Sequence, residues 1–117
     1  MEKYTGILLD RAKMVREWKT YMHDIVKVVK TILPDSKIYV FGSVVKGEAV
    51  AGSDVDILIF SKNVPKTNID RAKIKLEIEN LSNLPQHHPF ELHLADEEDM
   101  QLYASRIKEL VEWEANE

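Results

Sequence analysis

The amino-acid sequence predicts a two-layer α+β domain, in which helices pack against a small β-sheet. Three short apolar segments, 37–42, 55–60 and 90–95, have the length and the residue types of strands. The segments before, between and after them repeat apolar residues every three or four positions, which is the spacing of amphipathic helices. Helices and strands that occur together in so short a chain favour this fold class.

Length and composition restrict the functions that the chain can have. Its 117 residues predict one domain, 1–117, with an N-terminal helix over 1–35 and the core of the domain over 36–117. No cysteine is present, which excludes disulfides and thiolate chemistry. The net charge of −4 argues against general nucleic-acid binding. Since no apolar run of about 18 residues and no secretory signal occur, we expect a cytoplasmic protein without a membrane segment.

The first predicted element is a long helix. No Gly or Pro interrupts residues 7–33, and Pro34 ends the run. One continuous helix of this length would span about 40 Å, whereas a sheet of three or four strands is only about 15–20 Å wide. Part of the apolar stripe should therefore extend past the sheet, where the C-terminal helix, a second copy or a partner protein could cover it; we expect one of the last two. The stripe comprises Leu8, Ala12, Val15, Trp18, Met22, Ile25, Val29 and Ile32.

The later elements follow from the same two periodicities. The loop after strand 37–42 has room for one short helical turn before strand 55–60. A helix is predicted from Asn68, its N-cap, to Leu81, and Asp96 caps the last helix after strand 90–95. The apolar positions of the middle helix are Ile69, Ala72, Ile74, Leu76, Ile78 and Leu81. Those of the last helix are Met100, Tyr103, Ile107, Leu110 and Val111.

The loop between the first two strands has the residue types of a phosphate-binding site. Gly42 and Gly47 would let the backbone approach phosphate oxygens closely. Ser43 can donate its hydroxyl to a phosphate, Lys46 can neutralise phosphate charge, and Ser53 precedes the first acid of the motif. The alternatives are a local turn hydrogen bond for Ser43 and a solvated side chain for Lys46.

Three acids are candidates for metal binding and catalysis. Asp54 and Asp56 are two positions apart, so in a strand they would point to the same face. Glu91 shares a face with His93, and it can join the two aspartates if its strand lies beside theirs. Clustered carboxylates repel one another unless a cation or protons compensate them, and Mg²⁺ suits carboxylates together with substrate phosphates. Two such ions could hold the attacking and the leaving oxygens of a phosphoryl displacement. The alternative is that Ser53-Asp54 merely begins a strand.

The pattern Gly42-Ser43-x3-Gly47-x5-Ser53-Asp54-x-Asp56, between two apolar strands, resembles the polymerase-beta-type nucleotidyltransferase superfamily. The small size resembles its minimal nucleotidyltransferases, the MNT group. This resemblance implies a mixed sheet with helices mainly on one face. It also implies transfer of a nucleoside monophosphate, such as AMP from ATP or another NTP, to a hydroxyl. Gly42 and Ser43 would contact the triphosphate, and Asp54 and Asp56 would bind Mg²⁺. The third acid of the family is usually an aspartate; here it is Glu91, with Asp96 as an alternative that suits a helix cap better.

The resemblance also implies a partner. MNT proteins are often encoded beside a HEPN-domain protein and act as the antitoxin of a toxin–antitoxin pair, and some resemble enzymes that adenylylate a tyrosine of the toxin. We therefore expect a HEPN-domain toxin as partner, and a homodimer or hetero-oligomer formed through the N-terminal helix. The alternative is a non-catalytic antitoxin that binds nucleotide or protein and acts by contact alone. The intact acids and the Gly42-Ser43 pair argue against this alternative.

Overall fold

The fold is a four-stranded sheet against which the longer helices pack. The computed structural model describes residues 2–113, and the side chains of residues 6–113; of the predicted domain, residue 1 and residues 114–117 lie outside this part. In residues 2–113 no helix is both long enough and apolar enough to cross a membrane. The elements are α1 (Glu2–Arg16), α2 (Trp18–Ile32), β1 (Lys37–Phe41), α3 (Ser43–Lys46), β2 (Val55–Phe60), α4 (Asn68–Leu81), β3 (Phe90–Ala95), α5 (Glu97–Arg106) and β4 (Val111–Glu112).

The sheet is mixed, as predicted. Its strand order is β3-β2-β1-β4; β1 is antiparallel to β2 and β4, and β2 is parallel to β3. The register places Ile57 between Val40 and Leu92, and all three side chains are buried. Because side chains alternate along a strand, this apolar row defines the core face of the sheet. The helices supply the matching core residues, which are Met22, Ile25 and Val29 of α2 and Ile78 of α4.

The N-terminal segment forms two helices, whereas its uninterrupted periodicity predicted one. The chain turns at Glu17 (φ −105°, ψ 28°), which precedes α2. No Gly or Pro lies at the turn, so long-range contacts favour the break: Trp18 packs against Trp113 with ring centroids 5.4 Å apart, and Arg11 binds the loop before β3. Half of the predicted stripe is buried, whereas Leu8 is 64% exposed. Its buried members are Val15, Met22, Ile25 and Val29.

The end of the chain also differs from the prediction. Helix α5 stops at Arg106, and Val111–Glu112 forms β4, which pairs with Tyr39 and Val40 of β1. A strand of two residues is too short to show alternation in a sequence, and its hydrogen bonds to the edge of β1 stabilise it. Val111 was expected in the buried stripe of a helix, but it is an exposed strand residue.

Helix α4 has the predicted bounds but a different cap and a different buried face. The N-cap is Thr67, whose hydroxyl accepts a hydrogen bond from the N–H of Asp70 (3.2 Å). Ile78 is buried, and Ile74 packs against the core. The other predicted apolar positions lie largely on the opposite side of the helix, because only one side can face the sheet. Those that are exposed include Ile69, Leu76 and Leu81.

Asp96 is the N-cap of α5, as predicted. Its carboxylate accepts a hydrogen bond from the N–H of Asp99 (2.9 Å), and the Asp99 carboxylate accepts one from the N–H of Asp96 (3.1 Å), which forms a capping box. Lys66 and Arg71 also bind Asp96, at 2.6 and 3.3 Å. The hydrogen bond from Lys66 is the main reason why the pKa of Asp96 lies far below its ordinary value. This carboxylate is engaged in holding the start of α5, which leaves Glu91 as the candidate for the third acid.

We expect the stability of the fold to depend on the charge of Asp96. A carboxylate with a lowered folded-state pKa stabilises the fold above its ordinary pKa of about 3.9, and this contribution is lost as the pH falls below that value. Asp96→Asn keeps an oxygen for the cap but loses the charge. Its melting temperature should be roughly 5–10 °C below that of the wild type at neutral pH. Circular dichroism melts at decreasing pH should show the difference shrink below about pH 4; a difference independent of pH would contradict the argument.

Candidate active site

Two of the three predicted acids, Asp56 and Glu91, meet on the sheet face that lies opposite the apolar row. The register places Asp56 of β2 between Phe41 of β1 and Glu91 of β3. Residues that are paired in this way on neighbouring strands point their side chains to the same face of the sheet. The structure therefore brings Asp56 and Glu91 together, as the alternation of the two strands predicted.

His93 joins these two acids. Asp56, Glu91 and His93 each offer a ligand atom, and these atoms all lie within 4.8 Å of one another; we call these residues the Asp56 cluster. The Nε2 atom of His93 lies 3.3 Å from Oδ1 of Asp56. The imidazole also packs against Phe41 and Tyr103, with ring centroids 5.2 and 6.1 Å away. These contacts fix the imidazole beside the Asp56 carboxylate.

Gly42 lies directly against the Asp56 cluster. Its backbone (φ 85°, ψ −156°) has a conformation that is essentially restricted to glycine. A Cβ atom at this position would lie 2.5 Å from Oδ2 of Asp56. Because Gly42 has no side chain, the Asp56 carboxylate can lie beside the start of the loop.

The other residues that are predicted to bind phosphate lie in two places, either in and next to α3 or farther along the loop. Ser43 and Lys46 are the first and last residues of α3, which follows Gly42 directly, and Gly47 ends this helix with φ 72°. Ser43 is half-buried and Lys46 is exposed. Ser53 is farther along the loop, where its hydroxyl accepts a hydrogen bond from the N–H of Val50 (2.9 Å). That bond is a local turn interaction, so Ser53 is engaged within the loop itself.

Asp54 is not a member of the Asp56 cluster, because Arg11 of α1 binds it. The guanidinium of Arg11 forms an ion pair with Asp54, and it also donates to the carbonyls of His87 (3.2 Å) and His88 (2.9 Å). The side chain of Asp54 is 49% exposed, and that of Arg11 is 23% exposed. No sequence signal identifies Arg11, because it is 43 positions from Asp54 and one arginine on a helix carries no motif.

Tyr103 is a second residue whose position could not be predicted. It was assigned to a buried helix stripe, but it packs against both Phe41 and His93 at the edge of the Asp56 cluster. Burial raises the pKa of Tyr103, and the negative charge of Asp99 raises it further. Its phenol therefore stays protonated at neutral pH, and α5 covers one side of the cluster with an uncharged ring.

The donor atoms of the Asp56 cluster suit a divalent cation that prefers oxygen. Two carboxylates provide such oxygens, and their mutual repulsion favours a cation between them. The imidazole of His93 is in place to hold one carboxylate oxygen, which is a common way of orienting a metal ligand. Gly42 keeps open the space beside Asp56 that a Cβ atom would fill. The residues present thus fit a metal site next to the loop that the sequence predicts to bind phosphate.

Comparison with known sequences agrees with the family that the motif resembles. Residues 22–112 match the family model described as a nucleotidyltransferase domain. A segment of 41 residues is 51% identical to the "putative protein adenylyltransferase" of Methanocaldococcus jannaschii. This segment covers 35% of the present chain and 28% of that relative, so the similarity extends over less than a third of the relative's length.

Two solved structures share the fold. One, from Sulfolobus solfataricus and described as a "putative nucleotidyltransferase", has a TM-score of 0.58 and 22% identity, with 95% of this chain and 90% of that chain covered. Another "putative nucleotidyltransferase" has a TM-score of 0.60 and 26% identity, with 80% of this chain and 97% of that chain covered. Because the family model spans well over half of the sequence, the chain belongs to the nucleotidyltransferase domain family.

Proposed function

We propose that this protein transfers AMP from ATP to a hydroxyl group of a partner protein, in a reaction that depends on Mg²⁺. The observation that carries the proposal is the contact between the Asp56 cluster, whose donor atoms suit a metal, and Gly42, where the loop that is predicted to bind phosphate begins. Family membership supports the reaction class.

The metal would be held by Asp56 and Glu91, with His93 orienting Asp56. When bound, Mg²⁺ supplies positive charge that stabilises the phosphate oxygens during displacement. Asp54 can contribute a further carboxylate for the second ion of the predicted pair, and the positive charge of Arg11, which is paired with it, opposes binding of a cation there.

The residues of the chain have distinct tasks in this reaction. The loop that begins at Gly42 receives the triphosphate, and the hydroxyl of Ser43 can donate to one of its oxygens. The acceptor oxygen attacks the α-phosphorus, the bond from that phosphorus to the bridging oxygen breaks, and pyrophosphate leaves. Glu91 is exposed, so it can take the proton of the acceptor hydroxyl as the new bond forms. Tyr103 and Phe41 limit the access of water to one side of the site.

The acceptor is proposed from similarity. The relative from M. jannaschii is named a "putative protein adenylyltransferase". The motif Gly42-Ser43-x3-Gly47-x5-Ser53-Asp54-x-Asp56 also resembles that of MNT antitoxins, which are often encoded beside HEPN-domain toxins. We therefore propose a hydroxyl side chain of a HEPN-domain toxin as the acceptor. This would make the protein the antitoxin of such a pair.

Labelled ATP tests the reaction class. The purified protein is incubated with Mg²⁺, a cell lysate and ATP that is labelled on either the α- or the γ-phosphorus. Labelling is compared with that of the lysate alone. We expect the purified protein to add a band that carries label from α-labelled ATP but no band from γ-labelled ATP, and EDTA should prevent the added label. An added band with γ-labelled ATP alone would indicate a kinase, and no added band with either substrate would count against the proposal.

A neutralisation assay separates catalysis from antitoxin action by contact alone. A HEPN-domain toxin is co-expressed with the wild type or with Asp56→Asn, the variant that is expected to lose transfer and to keep the fold. If transfer is required, only the wild type should restore growth. Equal rescue by both proteins would favour the contact mechanism.

Arg11 should compete with a metal for Asp54. Arg11→Gln removes the cation from Asp54, so we expect Mn²⁺, a spectroscopic substitute for Mg²⁺, to bind about fivefold more tightly. Arg16→Gln, on the same helix, is the matched control and should bind Mn²⁺ like the wild type. Electron paramagnetic resonance of free Mn²⁺ gives both affinities. An Arg11 variant that binds Mn²⁺ no better than the control would show that the ion pair does not oppose the metal.

A further inference from the structure

A cavity of about 610 Å³ opens beside the Asp56 cluster. Phe41 and Gly42 line this cavity, and both also touch the cluster: Phe41 packs against His93, and Gly42 lies against Asp56. The volume is within the range of about 300–1,000 Å³ that is usual for small-molecule sites. A ligand bound at the cluster can therefore extend into the cavity.

Three cations line the cavity. Lys46 comes from the end of α3, and Arg106 and Lys108 come from the end of α5 and the residues after it. All three are exposed, and none belongs to an ion pair within residues 6–113. Two carboxylates, Glu48 and Glu109, line the same cavity. The cations outnumber them, which suits an anion whose charge is partly neutralised by a metal.

The position of Arg106 is set by the same helix that covers the Asp56 cluster. Tyr103 packs on Phe41 and His93, and Arg106 lies three positions later, on the adjacent turn of α5. An arginine presents a planar fork of N–H donors that suits phosphate oxygens, and a lysine adds a point charge. Arg106 and Lys108, at and after the end of α5, can therefore contact an extended phosphate chain, in addition to the loop that begins at Gly42.

We propose that Arg106 and Lys108 bind the terminal phosphates of the nucleotide, so that the triphosphate runs from the Asp56 cluster into this cavity. The inference rests on the proposed function and adds to it a binding site for the pyrophosphate end of the substrate. Lys46, the last residue of α3, lines the same cavity and would contact the same phosphates. This arrangement predicts that the phosphate chain alone is recognised, independently of the base and of the acceptor.

The test compares two double variants that remove the same charge. Arg106→Gln/Lys108→Gln alters the cavity. Lys62→Gln/Lys73→Gln alters two exposed side chains elsewhere, one after β2 and one on α4. Calorimetric titration with tripolyphosphate and Mg²⁺ measures binding without any transfer reaction, and circular dichroism melts verify that both variants fold.

We expect the cavity variant to bind tripolyphosphate at least about tenfold more weakly than the wild type, and the control to match the wild type within about twofold. In the transfer assay the cavity variant should raise KM for ATP by a similar factor and leave kcat within about threefold. Equal tripolyphosphate affinity of the two variants would overturn the inference, as would a wild type that does not bind tripolyphosphate. Because binding is measured without an acceptor, these outcomes are independent of whether AMP transfer itself is observed.

Discussion

Replacing Asp56 by Asn is expected to abolish nucleotidyl transfer and to leave the fold intact. The substitution keeps the shape of the side chain between Phe41 and Glu91 and removes its negative charge. A metal ligand of this kind contributes several kcal/mol to transition-state stabilisation, so the rate should fall by at least about a thousandfold. The melting temperature in the absence of metal should be unchanged or slightly higher, because one of two neighbouring carboxylates is neutralised.

The control for this variant is Asp24→Asn. Asp24 is an exposed residue of α2 and has the same side chain, so its replacement should leave the rate of transfer unchanged. Initial rates with α-labelled ATP, together with melts of both variants, give the comparison. Transfer by Asp56→Asn within about tenfold of the wild type would show that the Asp56 cluster is not the catalytic centre.

Replacing Gly42 by Ala should impair both stability and activity. The new Cβ would lie 2.5 Å from Oδ2 of Asp56, and alanine would have to adopt φ 85°. The backbone strain alone costs about 1–3 kcal/mol, and relief of the clash requires the Asp56 carboxylate to move. We expect a melting temperature lower by roughly 5–15 °C and a loss of transfer of about a hundredfold or more.

Variants of two other glycines distinguish the effect of backbone strain from the effect of the clash with Asp56. Gly47 has φ 72°, but a Cβ atom there would meet no other atom within 4 Å, so Gly47→Ala should show strain without a clash. Gly52 has neither feature, and Gly52→Ala should resemble the wild type. The clash can also be measured directly, because Gly42→Ala should cost less stability in an Asp56→Ala background. If Gly42→Ala and Gly47→Ala behaved alike in melts and in transfer assays, contact with Asp56 would be unimportant.

The sequence predicted the parts of the site that follow from strand geometry. Asp56 and Glu91 both lie inside strands, so the period of two places each on a known face, and adjacency of β2 and β3 was enough to bring them together. Asp54 precedes β2, where this rule does not apply, and its position depends on Arg11. Alternation also placed His93 on the same face as Glu91. Its contact with Asp56 depends on the register between β2 and β3, which the sequence alone does not show.

The remaining differences from the prediction arise from long-range contacts. The break at Glu17 has no local signal, since it is associated with the packing of Trp18 on Trp113 at the other end of the chain. The same holds for β4, which exists because β1 offers an edge to pair with. Helix α4 shows a different limit: its apolar positions were predicted as one set, and only the folded structure shows that Ile78 is buried whereas Ile69 and Leu76 are exposed.

A crystal structure with Mn²⁺ and an ATP analogue that cannot be cleaved between the α- and β-phosphates tests the central claim most directly. The anomalous signal of Mn²⁺ identifies the metal position without reference to activity. We predict a peak within about 2.0–2.6 Å of carboxylate oxygens of Asp56 and Glu91, with the α-phosphate of the analogue beside Gly42. A metal bound elsewhere while the analogue is present, or an analogue whose phosphates lie away from Gly42, would contradict the account.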